Sequence, residues 1–144
     1  MKNFNKSAYG EIYSTSYNIW KDNILLGIGL NNFTTVCKNN SKYKKYHEEF
    51  GCTTHPHNLY LQALVESGVI GFVLFSTFVL LFFYKINSLA LLEIKIIIWS
   101  VLLTIFWPIM SIGSLLKNWN MVFISFICAC VLIVNEYFKK NYLR

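Results

Sequence analysis

The feature that most constrains this chain is the uneven distribution of its apolar residues. Residues 64–138 are mostly Ile, Leu, Val and Phe, whereas residues 1–63 are polar and rich in Lys. A helix of about 20 apolar residues crosses a bilayer, and the second zone is long enough for about three such helices. Only 14% of the residues are charged, against about 25% in ordinary soluble domains. The pattern predicts an all-α membrane protein, in which a polar extracytoplasmic loop with short helices precedes about three transmembrane helices.

The transmembrane helices are predicted at about residues 57–85, 89–110 and 119–138. They would follow the extracytoplasmic loop at residues 1–56 and precede a cytoplasmic tail at residues 139–144. Because the links between the predicted helices are short, neighbouring helices are expected to run antiparallel.

The basic residues predict the orientation of these helices. Cytoplasmic loops of membrane proteins carry an excess of Lys and Arg close to the spans. If the histidine-bearing loop is outside, Lys117 is on the short outer turn. Five basic residues then face the cytoplasm: Lys85, Lys95, Lys139, Lys140 and Arg144. The net charge is +6, but the lysines flank apolar spans or lie in one loop, so no nucleic-acid partner is expected.

A short motif at the junction of the two zones carries the candidate chemistry. His57 and Asn58 are followed by Gly68 and Gly71. A helix is predicted to begin here, with Pro56 in its first turn, where the missing N–H costs nothing. Both glycines are then expected on the helix face below His57, beside a shallow groove that another helix or a lipid tail can approach. A titratable group above such a groove suits a lipid-linked substrate.

The motif, in the form HPHNLYLQALVESGVIG, resembles the His-Asn…Gly-x-x-Gly signature of the O-antigen ligases and related O-antigen polymerases. The earlier segment DNILLGIGLNNF is similar to a Gly-x-Gly segment of that family, with Leu25 where Pro is usual. The later segment WPIMSIGSLLKNWN is similar to a third one, and together they cover about residues 12–125. The resemblance implies a multi-pass protein of the bacterial inner membrane, with its active loop on the periplasmic side.

The resemblance also implies a reaction: metal-independent, inverting transfer of a glycan from undecaprenyl diphosphate to an acceptor sugar hydroxyl, without a cofactor. The acceptor is the lipid A-core in a ligase and another lipid-linked glycan in a polymerase. His57 is the expected general base, because a neutral imidazole with an ordinary pKa near 6.5 can take the hydroxyl proton. The residues expected to bind substrate are Asn58, His55, Lys21 and Gly68.

The chain departs from the family pattern in its arginines. Family members are thought to hold the leaving diphosphate with arginines, but Arg144 is the only arginine and is predicted to be cytoplasmic. Lys21 could act instead as a point charge, without bidentate geometry. The chain is therefore expected to be a fragment whose upstream helices are its partners and carry the arginines. The alternatives are a polymerase of the same superfamily and a truncated, non-catalytic membrane remnant or accessory subunit.

The cysteines and histidines of the polar segment allow further interpretations. Cys37 and Cys52 lie 15 positions apart, and a disulfide between them is expected if the segment is periplasmic. It would stabilise the loop by about 3 kcal/mol. A zinc site of His47, Cys52, His55 and His57 matches no closed structural spacing, so no metal is expected. The alternative for His57 is a residue that only orders the start of a helix.

Overall fold

The computed structural model describes residues 4–46, 49–87, 92–109, 111, 113–114 and 116–142. Within these ranges the chain is all-helical. The α-helices are α1 (Ala8–Asp22), α2 (Phe33–Asn39), α3 (Leu59–Asn87), α4 (Leu92–Phe106) and α5 (Asn118–Tyr142). Short 3-10 helices span Phe4–Lys6 and Ser41–Tyr46. The expectations that concern His47, residues 89–91, Met110 and Arg144 lie outside the described residues.

α1 is an amphipathic helix that packs the polar segment onto α3. The Ser7 hydroxyl accepts a hydrogen bond from the Gly10 N–H at 3.1 Å, which caps the first turn. The buried side chains recur at helical spacing along one face: Glu11, Ile12, Thr15, Ser16 and Ile19. A small apolar core joins α1 and α2 to the upper part of α3, and its buried members are Ile19, Phe33, Cys37, Tyr43 and Val65.

α3 is broken inside the glycine motif, and the loop between α1 and α2 fills the break. Gly68 has φ 65° and ψ −167°, outside the helical region. In an unbroken helix, the carbonyls of Val65 and Glu66 would accept from the amides four residues further on. Here the Val65 carbonyl accepts from the Ile28 N–H at 3.1 Å, and the Glu66 carbonyl accepts from the Gly29 N–H at 2.9 Å.

The two amides freed by the break bind the same loop. The Val69 N–H donates to the Ile24 carbonyl at 2.8 Å. The Ile70 N–H donates to the Leu25 carbonyl at 3.4 Å. The loop thus replaces two intrahelical hydrogen bonds with four bonds of its own, so the buried backbone groups at the break are paired.

Glycines allow the two backbones to approach this closely. A Cβ on Gly27, which has φ +66°, would lie 2.5 Å from the carbonyl carbon of Glu66. A Cβ on Gly68 would collide with the Leu25 carbonyl. The Gly-x-Gly segment and the Gly-x-x-Gly segment therefore meet at Gly27 and Gly68, and this contact explains why these two positions are glycines.

The predicted continuous helix face below the histidine is wrong. His57 precedes α3 and has φ 57°, a left-handed conformation, while the helix begins at Leu59. Pro56 consequently lies in the loop and not in the first helical turn. Because Gly68 also interrupts the helix, a fixed rotation per residue does not carry the His57 face down to Gly71.

Among the described residues, two helices are long and apolar enough to cross a membrane: α3 and the stretch Asn118–Phe138 of α5. Only 17% and 11% of their most apolar windows are buried within the chain, which is low for core helices of a soluble protein. α4 was predicted to be a third span, but its described part has 15 residues, or about 22 Å of helix against about 30 Å of hydrocarbon.

Candidate active site

His57 and Asn58 form the junction between the polar loop and α3. The Asn58 side-chain oxygen accepts from the Leu61 N–H at 3.0 Å, and its backbone carbonyl accepts from the Gln62 N–H at 2.8 Å, so Asn58 caps the helix. Its amide nitrogen donates to the Pro108 carbonyl at 2.6 Å. Asn58, predicted to bind substrate, therefore uses both ends of its side chain to fix the junction against the segment that follows α4.

The imidazole of His57 is half-buried beside two other rings. The His55 ring lies 4.1 Å from it, centroid to centroid, at 35°. The Tyr9 ring approaches edge-on at 6.5 Å, and its hydroxyl donates to the Ser111 hydroxyl at 3.1 Å. His55 is itself buried, and its Nδ1 pairs with the Thr54 hydroxyl at 2.8 Å. The His57 ring thus lies between its neighbour His55 and Tyr9 of α1, and Tyr9 is itself held by Ser111.

The surroundings of His57 favour its neutral form. Burial lowers the pKa of His57 below its ordinary value of 6.5, and the positive charge of Lys117 lowers it further. Because an imidazole with a lowered pKa is unprotonated at neutral pH, it can accept a proton. The base function predicted for His57 is chemically consistent with this environment.

Lys117 is a cation within electrostatic reach of His57, and it was not among the site residues predicted from the sequence. The backbone N–H of Lys117 donates to the Ser114 carbonyl at 3.2 Å. The Ser114 hydroxyl in turn accepts from the Gln62 side-chain amide at 2.8 Å, which links this turn to α3. The sequence did contain a signal for Lys117, because Lys117 is the one basic residue assigned to the outer turn.

Lys21 and Gly68, predicted to bind substrate, are not brought next to His57. Lys21 is exposed, and its ammonium lies 5.9 Å from the Tyr17 ring. It lies twelve residues beyond Tyr9 on α1, or about 18 Å along the helix axis. Gly68 lies at the break in α3, where the loop backbone occupies the space beside its Cα.

The loop that leads into the site is held by a disulfide and by a buried carboxylate. Cys37 and Cys52 are bonded, with their Cα atoms 5.6 Å apart. The Glu11 carboxylate accepts from the Glu49 and Phe50 amides at 3.1 and 2.8 Å. These contacts fix the chain shortly before His55.

A metal site is not formed by the described part of the chain. No group of three or more His, Cys, Asp or Glu residues there could hold a metal ion. Of the residues considered for zinc, Cys52 is bonded to Cys37, which removes its thiolate as a ligand. His47 lies outside the described residues.

Comparison with known proteins identifies the family. The model of the O-antigen ligase family matches residues 1–76, more than half of the 144 residues. The chain belongs to the O-antigen ligase family. No curated protein and no solved structure matches it. The family match covers the loop, His57 and the break at Gly68, whereas Lys117 lies beyond it. As a member of this family, the chain is membrane-associated and related to ligase-like and glycosyltransferase-like enzymes.

Proposed function

We propose that this O-antigen ligase family member takes part in transferring a glycan from undecaprenyl diphosphate to the hydroxyl of an acceptor sugar. The acceptor oxygen attacks the anomeric carbon, the bond to the diphosphate breaks, and His57 takes the hydroxyl proton. Undecaprenyl diphosphate leaves with the bonding electrons. The observation that carries the proposal is a half-buried His57 with a lowered pKa at the top of a candidate membrane helix.

The position of His57 supports a base that reaches a substrate at the membrane surface. Its left-handed backbone conformation places it outside α3, and a non-glycine residue in this conformation is uncommon and associated with functional sites. The cap supplied by Asn58 and the ring contact with His55 hold this conformation in place. A base fixed in this way needs little rearrangement before proton transfer.

Lys117 has the charge needed to bind the leaving diphosphate. Negative charge grows on this group as the glycosidic bond breaks, and a fixed ammonium near it lowers the barrier. Lys117 acts on the pKa of His57, so it lies within electrostatic reach of the proposed base. We therefore assign to Lys117 the role that the sequence had suggested for Lys21.

The test is to substitute single residues in the gene of the native host and to separate the cell-surface glycans by electrophoresis. His57→Ala is expected to abolish transfer, and Lys117→Gln is expected to weaken it. Lys38→Gln is the matched control, because Lys38 is an exposed lysine on α2. Immunoblotting of membranes verifies that each variant is present at the normal level.

The outcomes separate the candidate functions. In a ligase, His57→Ala leaves the lipid A-core without long glycans, while the lipid-linked glycan accumulates. In a polymerase, single repeat units remain attached to the core. Normal glycans with a normal level of the His57→Ala protein would refute catalysis by His57 and favour a non-catalytic membrane protein.

A further inference from the structure

The loop that fills the break in α3 presents an apolar surface within an otherwise polar segment. Leu26 is 74% exposed and Leu25 is 66% exposed, and Ile24 and Leu30 are also exposed. Polar residues border this surface on both sides, Asp22 and Asn23 before it and Asn31 and Asn32 after it. Four large aliphatic side chains in one exposed loop are too many to be scattered surface residues, so they mark a contact surface.

The loop lies beside the membrane helix and well below its first turn. The hydrogen bonds from Val69 to Ile24 and from Ile70 to Leu25 place the loop level with these residues of α3. Val69 is ten residues beyond the helix start at Leu59, or about 15 Å along the axis. The apolar loop is therefore not at the tip of the polar segment.

The exposed apolar side chains of α3 continue the surface of the loop. Ile70 forms one of the four hydrogen bonds to the loop, and Ile70, Val73 and Leu74 are all exposed on the candidate membrane span. A surface that continues a membrane-spanning face meets the same surroundings as that face. Because the loop surface continues this face, we expect lipid acyl chains to cover it.

The backbone groups freed at the break in α3, and the Glu66 carboxylate beside them, are satisfied within the chain. The four backbone hydrogen bonds at the break use the groups that the helix has lost. The buried Glu66 carboxylate accepts from the backbone amides of Asn31 and Phe33 and from the Gln62 side chain at 3.1 Å. These bonds tie both ends of the loop to α3, which holds its backbone against the helix while its aliphatic side chains stay exposed.

We propose that residues 24–30 insert into the acyl-chain region of the leaflet on the His57 side, as an apolar wedge against α3. Non-helical backbone is tolerated at membrane depth where protein satisfies its polar groups, and the aliphatic side chains of the loop supply the hydrophobic contact. The inference rests on the loop and α3 alone, and it holds whether or not the protein transfers glycans.

The experiment measures lipid contact at a single labelled cysteine. The two free cysteines, Cys128 and Cys130, are first replaced by Ser, and the disulfide is left oxidised. Leu26→Cys is then labelled with bimane in vesicles of phosphatidylcholine and phosphatidylglycerol. Leu74→Cys is the lipid-facing reference, and Lys38→Cys is the water-facing reference. Leu26 is suited to labelling because, at 74% exposed, it is more exposed than Ile24, Leu25 and Leu30.

The wedge predicts that nitroxide lipids labelled near the ester carbonyl quench the Leu26 label as strongly as the Leu74 label. It also predicts a blue-shifted emission and protection from iodide, whereas the Lys38 label is quenched by iodide only. A Leu26 label that is quenched by iodide and not by lipid would place the loop in water. A label protected from both quenchers would show that another protein segment covers the loop. Either of these last two results overturns the proposal.

Discussion

Replacing Gly68 by Ala tests whether the loop and the broken helix depend on each other. Gly68 has φ 65° and ψ −167°, a region essentially restricted to glycine, so an alanine there costs about 1–3 kcal/mol. Its Cβ would also collide with the Leu25 carbonyl, which must move away. That movement breaks the two hydrogen bonds to Val69 and Ile70, at about 1 kcal/mol each. The free energy of unfolding should therefore fall by roughly 3–5 kcal/mol.

Thermal unfolding of the purified protein in detergent, followed by circular dichroism, measures this loss. For a chain of this size the melting temperature is expected to fall by roughly 10–15 °C. Hydrogen exchange reports the site of the damage, because the Ile28 and Gly29 amides donate across the break and should lose protection. Thr77→Ala, at an exposed position of the same helix, is the control and should change neither quantity.

Either of two results would refute this reasoning. If Gly68→Ala unfolds at the same temperature as Thr77→Ala and the Ile28 and Gly29 amides stay protected, the loop does not depend on the glycine. If the melting temperature falls but those amides remain protected, the damage lies elsewhere in the chain. In that case the loop and the break are not coupled.

Two further predictions concern the polar loop and the proposed base. Replacing both Cys37 and Cys52 by Ser removes a crosslink between residues 15 apart, and it should lower the free energy of unfolding by about 3 kcal/mol in denaturant titrations. The Lys117→Gln variant should raise the pKa of His57 towards 6.5 in an NMR titration, because it removes a positive charge that opposes protonation. In the wild type, the pKa of His57 is lower in the folded than in the unfolded protein. The free energy of unfolding should therefore be highest above the ordinary pKa of histidine and should fall as the pH decreases towards the folded pKa of His57.

Matched variants identify the cause in each case. Cys130→Ser should leave stability unchanged, because this thiol is free. Equal losses for Cys130→Ser and for the variant that lacks both Cys37 and Cys52 would contradict a role for the disulfide. Lys38→Gln should leave the pKa of His57 unchanged, since no contribution from Lys38 to this pKa is found. If Lys117→Gln fails to raise that pKa, the ammonium is not close to the ring.

The sequence by itself determined the family and the class of fold. The spacing of His57, Asn58, Gly68 and Gly71 indicated the O-antigen ligases, and the family match confirms it. The apolar runs indicated helices long enough to cross a membrane, and two such helices are present in the described residues. Both properties are readable because hydrophobic run length and short motifs are local features of a sequence.

The details of the site were decided only by the tertiary structure. Helical periodicity predicted one unbroken face from His57 to Gly71, but it could not reveal that residues 24–29 supply the hydrogen bonds that let α3 break at Gly68. The family resemblance pointed to Lys21 in place of the missing arginines, whereas the fold places Lys117 within electrostatic reach of His57. These contacts join residues about 40 to 60 positions apart in the chain. Periodicity describes only neighbours within a turn or two of helix, so pairings over such distances are set by how the segments pack in space.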